Sequence, residues 1–384
     1  MDGAKNLKVG DEAHGHFLVT SARKDTTKNG KPYVAFDCRA RDGTVFSSCK
    51  IWDCEDKPEG VIEIRGPVEE FNGQVHIVAK KWRRTDIDPN EFEPRAPWPL
   101  DLESMYARLL SIFSQIFNKG YREFAKDYLA FWSTHKFPSM KETKKRFLLH
   151  PGGIKVHHSY RHGLFEHTLE VTEHAIAIGK LHNLNTKEQD LLIIGCLIHD
   201  LGKMEEFSVE NGVYDYSFMG KAYGWKSNAH LYIGGQMLLQ YYSQVMWEDY
   251  DTQTCPLCEE DLFVLQNIAM SHHGEWSDVK PKWTISMIVH IADLASAQTN
   301  RMRMGLAATD DNEIKFDVVK ASYLRLEDYK DASKTNIDPV DDPDLGEDPL
   351  APPPEPEPDK LVLRPTYDPL HNEDEPPILF PPDY

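Results

Sequence analysis

The 384-residue chain has no continuous apolar run near the ~20 residues that a membrane-spanning helix needs. Its opening, MDGAKNLKVGD, lacks the charged-then-apolar pattern of a secretory leader. Cysteine is scarce. The six residues Cys38, Cys49, Cys54, Cys196, Cys255 and Cys258 have no dense even spacing, which argues against a disulfide framework and for a reducing compartment. No internal repeat is present. Together these absences predict a soluble, cytoplasmic protein with no membrane partner.

Positive charge is also in deficit, with a net charge of −19, which at first argues against a polyanionic substrate. Its location removes that objection. Residues 335–384 hold fourteen Asp and Glu against two Lys and Arg, so the tail alone carries −12. Residues 1–85 carry fifteen basic and thirteen acidic residues, a balance of +2. The tail also holds fourteen of the 25 prolines and no helical or strand period, so an extended or disordered segment is expected there. It reads as a solvated spacer; the functional alternative is that its charge mimics nucleic acid.

The rest of the chain is long enough for two domains. Five β-rich runs, at 13–22, 33–40, 44–52, 61–69 and 74–82, are punctuated by Asn29-Gly30, Asp42-Gly43, Pro58-Glu59-Gly60 and Asn72-Gly73. This pattern predicts a small all-β barrel of the OB type over residues 1–85, with an SH3-like barrel as the alternative. Residues 86–100 form a Pro-rich acidic linker. From Met105, Leu109, Ile112, Phe113 and Ile116 onward the period becomes helical, and an all-α domain is expected over 101–334, with loops at 183–187, 205–228 and 250–259.

One run in this domain calls for a cation. The apolar segment Leu191–Ile198 predicts a buried helix that ends on His199-Asp200. Burying an ionised carboxylate without a partner is costly, and a divalent ion removes that cost. Lys203, four residues after His199, shares its face and is placed to hold a phosphate oxygen. A lone His-Asp pair is weak evidence, but it stands in a series. His167, His230 and His272 lie beside apolar helical stretches, and Asp293 sits within ISMIVHIADLAS. Four imidazoles and two carboxylates in this setting suit one or two hard-to-borderline cations.

The order of these residues resembles that of the HD-domain metal phosphohydrolases. The resemblance is closer to the YhaM-type 3′–5′ exoribonucleases, which place an OB-fold barrel before the HD domain. It is carried by His157-His158-Ser159-Tyr160, Gly163-Leu164-Phe165-Glu166-His167-Thr168, His199-Asp200-Leu201-Gly202-Lys203 and Ser271-His272-His273-Gly274, and in the barrel by Asn29-Gly30-Lys31-Pro32-Tyr33 and Ile51-Trp52-Asp53. It covers roughly residues 5–305.

The resemblance implies metal ligation by His167, His199, Asp200, His230, His272 and Asp293, with His273 an additional ligand or a group behind one. Asp200 would bridge two ions if the site is dinuclear, and a metal-bound hydroxide would attack the phosphorus. The catalytic pair would be Asp200 and Lys203, and His157 and His158 would contact substrate. Mn²⁺ is the first expectation, with Mg²⁺, Fe²⁺, Co²⁺ and Ni²⁺ as alternatives. The substrate would be single-stranded RNA, with single-stranded DNA also open, and the oligomeric state is left open. Lys31, Tyr33, Phe46 and Trp52 are the barrel's candidates for gripping the strand, within a wider set that includes Phe36, Phe71, Lys24, Lys28, Arg39, Arg41 and Lys50. About half of the aromatics are expected in the core, because alternation turns every second side chain inward.

Two departures stand out. Arg161-His162 occupy the place where the family has a small residue and glycine, and 245–262 looks inserted. Cys255 and Cys258 have zinc-knuckle spacing but no second ligand pair nearby. The rival functions are a phosphohydrolase of nucleotides or cyclic nucleotides, and a non-catalytic nucleic-acid-binding adaptor.

Overall fold

Alternating β-branched and aromatic residues build the N-terminal sheet of the computed structural model, which describes residues 4–71, 73–134, 146–223, 228–248, 257–308, 313–316 and 321–324. Six antiparallel strands, β1 (Glu12–Thr26), β2 (Pro32–Arg39), β3 (Val45–Trp52), β4 (Val61–Phe71), β5 (Gln74–Ile77) and β6 (Lys81–Arg84), form a curled half-barrel. The path runs β3-β2-β1-β4-β5, and β6 also pairs with β4. The single run read at 74–82 is thus two strands on one edge of β4. Between them the chain passes against Gly66, where a Cβ would lie 2.0 Å from the Val78 carbonyl. Only glycine leaves room for that crossing. There Ala79 N–H donates to Lys50 O at 2.8 Å, which draws the end of β3 toward the β4–β5 edge and curls the sheet.

The inward face carries Phe17, Val34, Phe36, Cys38, Phe46, Cys49, Ile51, Ile62 and Ile64, all buried. Phe46, a candidate for strand contact, is 4% exposed and packs edge-on against Phe17 at 6.0 Å. The pairing of Phe46 with Cys38 in the β2–β3 register turns it inward, so it offers no face to a ligand. Phe36 is core in the same way. Arg39 is also diverted from solvent, because its guanidinium donates to Gly212 O at 2.9 Å and Phe92 O at 3.3 Å.

The segment read as a linker is packed against its neighbours. Phe92, in the short 3₁₀ turn Pro89–Phe92, is buried with Leu18 and Val61, and Ile87 and Val213 pack on them. Glu93 then accepts from Arg161 at 2.9 Å and from the Tyr214 hydroxyl at 3.0 Å. These contacts tie the sheet to the helical part.

That part comprises α1 (Leu102–Ser114), α2 (Lys119–Thr134), α3 (Arg146–Leu149), α4 (Gly163–Leu181), α5 (Thr186–Ile198), α6 (Lys203–Glu206), α7 (Phe218–Tyr223), α8 (Ala229–Glu248), α9 (Glu259–Ser271) and α10 (Thr284–Ala308). The expectation of an all-α domain over 101–334 needs correction at two hairpins among the described residues. The first, β7 (Phe207–Glu210) and β8 (Val213–Tyr216), occupies part of the stretch read as a loop. Its turn is Asn211-Gly212, both with positive φ, the conformation that an Asn-Gly pair favours.

Helix α5 sits at the centre. Asn185 and Glu188 close a capping box at its start, and every residue from Asp190 to Ile198 is buried. A helix apolar on all sides belongs in a core. It is flanked by α4, α9 and α10.

The chain divides into two units, Met1–Ala308 and Thr309–Tyr384. In the second, the described residues are an antiparallel hairpin, β9 (Glu313–Phe316) and β10 (Ala321–Leu324). The acidic tail at 335–384 and Cys255 of the zinc-spaced pair lie outside the described residues. Among the described residues, no helix is long and apolar enough to cross a membrane.

Candidate metal centre

Five helices deliver the polar groups of the core to one place. His167 comes from α4, His199 and Asp200 follow the last turn of α5, His230 opens α8, His272 follows α9, and Asp293 lies inside α10. All are buried.

Asp200 stands in the middle. Its Oδ2 lies 3.2 Å from His167 Nε2 and 3.5 Å from His199 Nε2, and its Oδ1 lies 3.3 Å from His272 Nε2 and 3.7 Å from His230 Nε2. Asp293 Oδ1 closes the first side at 3.0 Å from His167 Nε2. His273 joins the second, its Nε2 3.3 Å from that of His230. Lys203 places its ammonium 2.5 Å from Asp200 Oδ2.

The four imidazoles are oriented alike. His199 Nδ1 donates to Cys196 O at 2.6 Å and His272 Nδ1 to Ala269 O at 3.0 Å. His230 Nδ1 donates to Glu206 Oε2 at 2.6 Å, and His167 Nδ1 to Ser296 Oγ at 2.9 Å. Ser296 passes its own proton to Glu170 Oε2 at 2.7 Å. With each Nδ1–H spoken for, the neutral form of each ring turns its Nε2 lone pair toward Asp200. Yet both Asp200 oxygens and His272 Nε2 are buried with no hydrogen bond of acceptable geometry. Apart from the Lys203 ammonium beside Oδ2, these buried acceptors face nitrogen donors, a set that fits divalent cations. Metal-capable groupings occur on both sides, as His167, His199 and Asp200, and as His230, His272 and His273.

Titration behaviour agrees with a site that demands positive charge. Burial pushes His167 down, but Asp200 and Asp293 outweigh it and raise it to about 9. Burial likewise pushes Asp200 upward, yet Lys203 and the neighbouring histidines hold it well below the carboxylate range. His199, where burial dominates, falls to about 3 and is a neutral donor at physiological pH.

His157 and His158, expected at substrate, lie beside His167, and the three form a further metal-capable grouping. The departure at His162 also has a structural counterpart. It caps α4 with φ 70, the left-handed conformation that glycine adopts freely, and its Nδ1 donates to Leu148 O at 2.7 Å. In the sheet, Tyr33 and Trp52 pair with ring centroids 5.1 Å apart, and Lys50 lies 5.3 Å from Trp52 and 5.1 Å from Phe71. Trp52 and Phe71 are exposed, as is Lys31.

Three supporting residues were not singled out from sequence: Glu206, Glu170 and Ser296. A signal existed for two of them. Glu170 follows His167 by three residues and Ser296 follows Asp293 by three, so each shares a helix face with a ligand candidate.

Residues 164–298 match the family model described as the HD domain. The chain is 25% identical over 315 residues to a 3′-5′ exoribonuclease YhaM of Oceanobacillus iheyensis, covering 78% of this chain and 88% of that protein. A protein of the same name from Bacillus subtilis is 23% identical over 312 residues, covering 78% and 89%. A third, from Geobacillus sp., is 25% identical over 327 residues, covering 79% and 88%. No solved structure matches the chain.

Proposed function

We propose that this protein is a metal-dependent 3′–5′ exonuclease of single-stranded RNA, with single-stranded DNA a second polymer it accepts. The observation that carries the reading is Asp200, whose two oxygens each face a separate pair of imidazole Nε2 atoms. One ion would be held by His167, His199, Asp200 and Asp293, and a second by Asp200, His230, His272 and His273. Such ions, with Mn²⁺ the first candidate, supply a nucleophile at neutral pH and stabilise charge on a transferring phosphoryl group.

The chain's own groups do the rest. Lys203, buried beside Asp200, presents an ammonium to a phosphate oxygen. Glu206 and Ser296 hold their histidines in the ligating tautomer. Residues 1–85 read as an OB-like barrel ahead of a helical phosphohydrolase domain at 101–334, joined by 86–100. On its surface the Tyr33–Trp52 pair, with Lys31, Lys50 and Phe71, forms a basic, aromatic strip of the kind that stacks bases without regard to sequence. That strip, and the relatives' printed name, favour a polymer over a mononucleotide.

The test uses a 5′-labelled RNA oligonucleotide with a free or a blocked 3′ end, with Mn²⁺ or with chelator. Stepwise shortening that needs both the free end and the ion is expected. Turnover of mononucleotides or cyclic nucleotides with the oligonucleotide untouched would overturn the polymer assignment.

A further inference from the structure

We propose that His157 supplies an additional ligand to the ion held by His167, His199, Asp200 and Asp293, and that Glu170 and His158 fix it for that role. The inference rests on the metal-centre reading above and concerns residues expected only to meet substrate.

His158 has φ 47, a left-handed conformation that a histidine adopts only when its surroundings impose it. They do so here. His158 N–H donates to Asn300 Oδ1 at 2.7 Å, and its carbonyl accepts from Gly152 N at 2.8 Å. That carbonyl also lies 2.0 Å from where a Cβ on Gly163 would be, so Gly163 admits the turn. The turn places His158 in the core, fully buried, and leaves His157 part-buried beside His167 with ring centroids 5.3 Å apart.

A chain of hydrogen bonds then sets the tautomers. Glu170 is an acceptor, and its Oε2 lies 3.2 Å from His158 Nε2, so the proton of neutral His158 sits on Nε2. His158 Nδ1 is therefore a lone pair, and it faces His157 Nδ1 at 3.3 Å. Two lone pairs do not face one another at that distance, so His157 carries its proton on Nδ1. Its Nε2 is left as a lone pair. Both nitrogens of His158 are then engaged, and His167 Nε2 already faces Asp200 and Asp293. In the grouping of His157, His158 and His167, the donor still unused is His157 Nε2. Carboxylate, imidazole and ligating imidazole in series is the arrangement by which proteins orient a metal ligand, here extended by one ring.

The test measures metal binding in the full-length protein, apart from any activity. Mn²⁺ affinity is read by equilibrium dialysis with elemental analysis, and coordination by the visible spectrum of the Co²⁺-loaded protein, with circular dichroism as the fold check. His157→Ala is expected to weaken one of two Mn²⁺ equivalents at least about tenfold and to change the Co²⁺ bands, leaving the other equivalent near wild type. Glu170→Gln, which keeps the shape but loses the charge, is expected to shift the same equivalent by less. Wild-type affinity and an unchanged Co²⁺ spectrum in His157→Ala would overturn the inference while leaving the metal centre intact. A wild-type protein that binds no Mn²⁺ or Co²⁺ would overturn the metal-centre reading itself.

Discussion

Glu206 grips the start of helix α8 with both oxygens: Oε2 accepts from His230 Nδ1 at 2.6 Å and Oε1 from Ala229 N–H at 3.1 Å. One buried carboxylate thus fixes the backbone and the tautomer of a candidate ligand together. Burial pushes Glu206 upward, but the charge and hydrogen bond of His230 outweigh it and hold the carboxyl below its ordinary range.

Replacing Glu206 with Gln keeps the volume and removes the charge that favours the Nδ1–H tautomer of His230. Metal affinity on the His230–His272–His273 side is expected to fall by roughly 10- to 100-fold, as for loss of other groups that orient metal ligands. Equilibrium dialysis with Mn²⁺ checks this. Two undiminished equivalents would contradict it.

The sheet separates two aromatics that the sequence grouped. Trp52 is 45% exposed and packs at a tilt against Tyr33, whereas Phe46 is 4% exposed within the core. Trp52→Ala is expected to weaken single-stranded RNA binding by about 1–3 kcal/mol with little change in stability. Phe46→Ala is expected to cost about 3–5 kcal/mol of folding stability. Fluorescence anisotropy and urea unfolding, run on both variants, decide the matter. The reverse pattern would show that the strip has been assigned to the wrong face.

His150 gives stability a pH dependence of defined sign. Burial, with Arg146 nearby, lowers its pKa from 6.5 to about 3, while its Nδ1 donates to Pro151 O. Between these values the unfolded chain binds a proton that the folded protein refuses. Its contribution is therefore complete above pH 6.5 and lost as pH falls toward 3. His150→Asn is expected to flatten the profile of unfolding free energy over this window by up to roughly 1.4 kcal/mol per pH unit. Urea titrations at several pH values with chelator present measure it. Parallel profiles for variant and wild type would contradict the assignment.

Much of the centre could be read from the chain because apolar context marks its residues. Leu191–Ile198 is buried throughout, so a His-Asp pair at its end had to be matched with something polar or charged. What orients the candidate ligands is harder to see. Glu206 reaches His230 across 24 residues and Ser296 reaches His167 across 129, contacts that only folding creates. The sheet shows the same division. Its segments follow from alternation and turn residues, but the inward sense of Phe46 depends on the β2–β3 register, and the break between β5 and β6 depends on the crossing at Gly66. The β7–β8 hairpin carried its signal in Asn211-Gly212, but each strand has four residues, too few for alternation to stand out.

Asp200 is proposed to join two cation positions in a nuclease centre. Asp200→Asn keeps the side chain's shape and removes the charge shared by both sides. With Mn²⁺ and a 5′-labelled single-stranded RNA, its 3′-end trimming rate is expected to fall by about 10³-fold or more, the scale of several kcal/mol of charge stabilisation. Binding of the same RNA is expected to persist through the sheet. A trimming rate within about tenfold of wild type, about 1.4 kcal/mol or less, would rule out that role for Asp200.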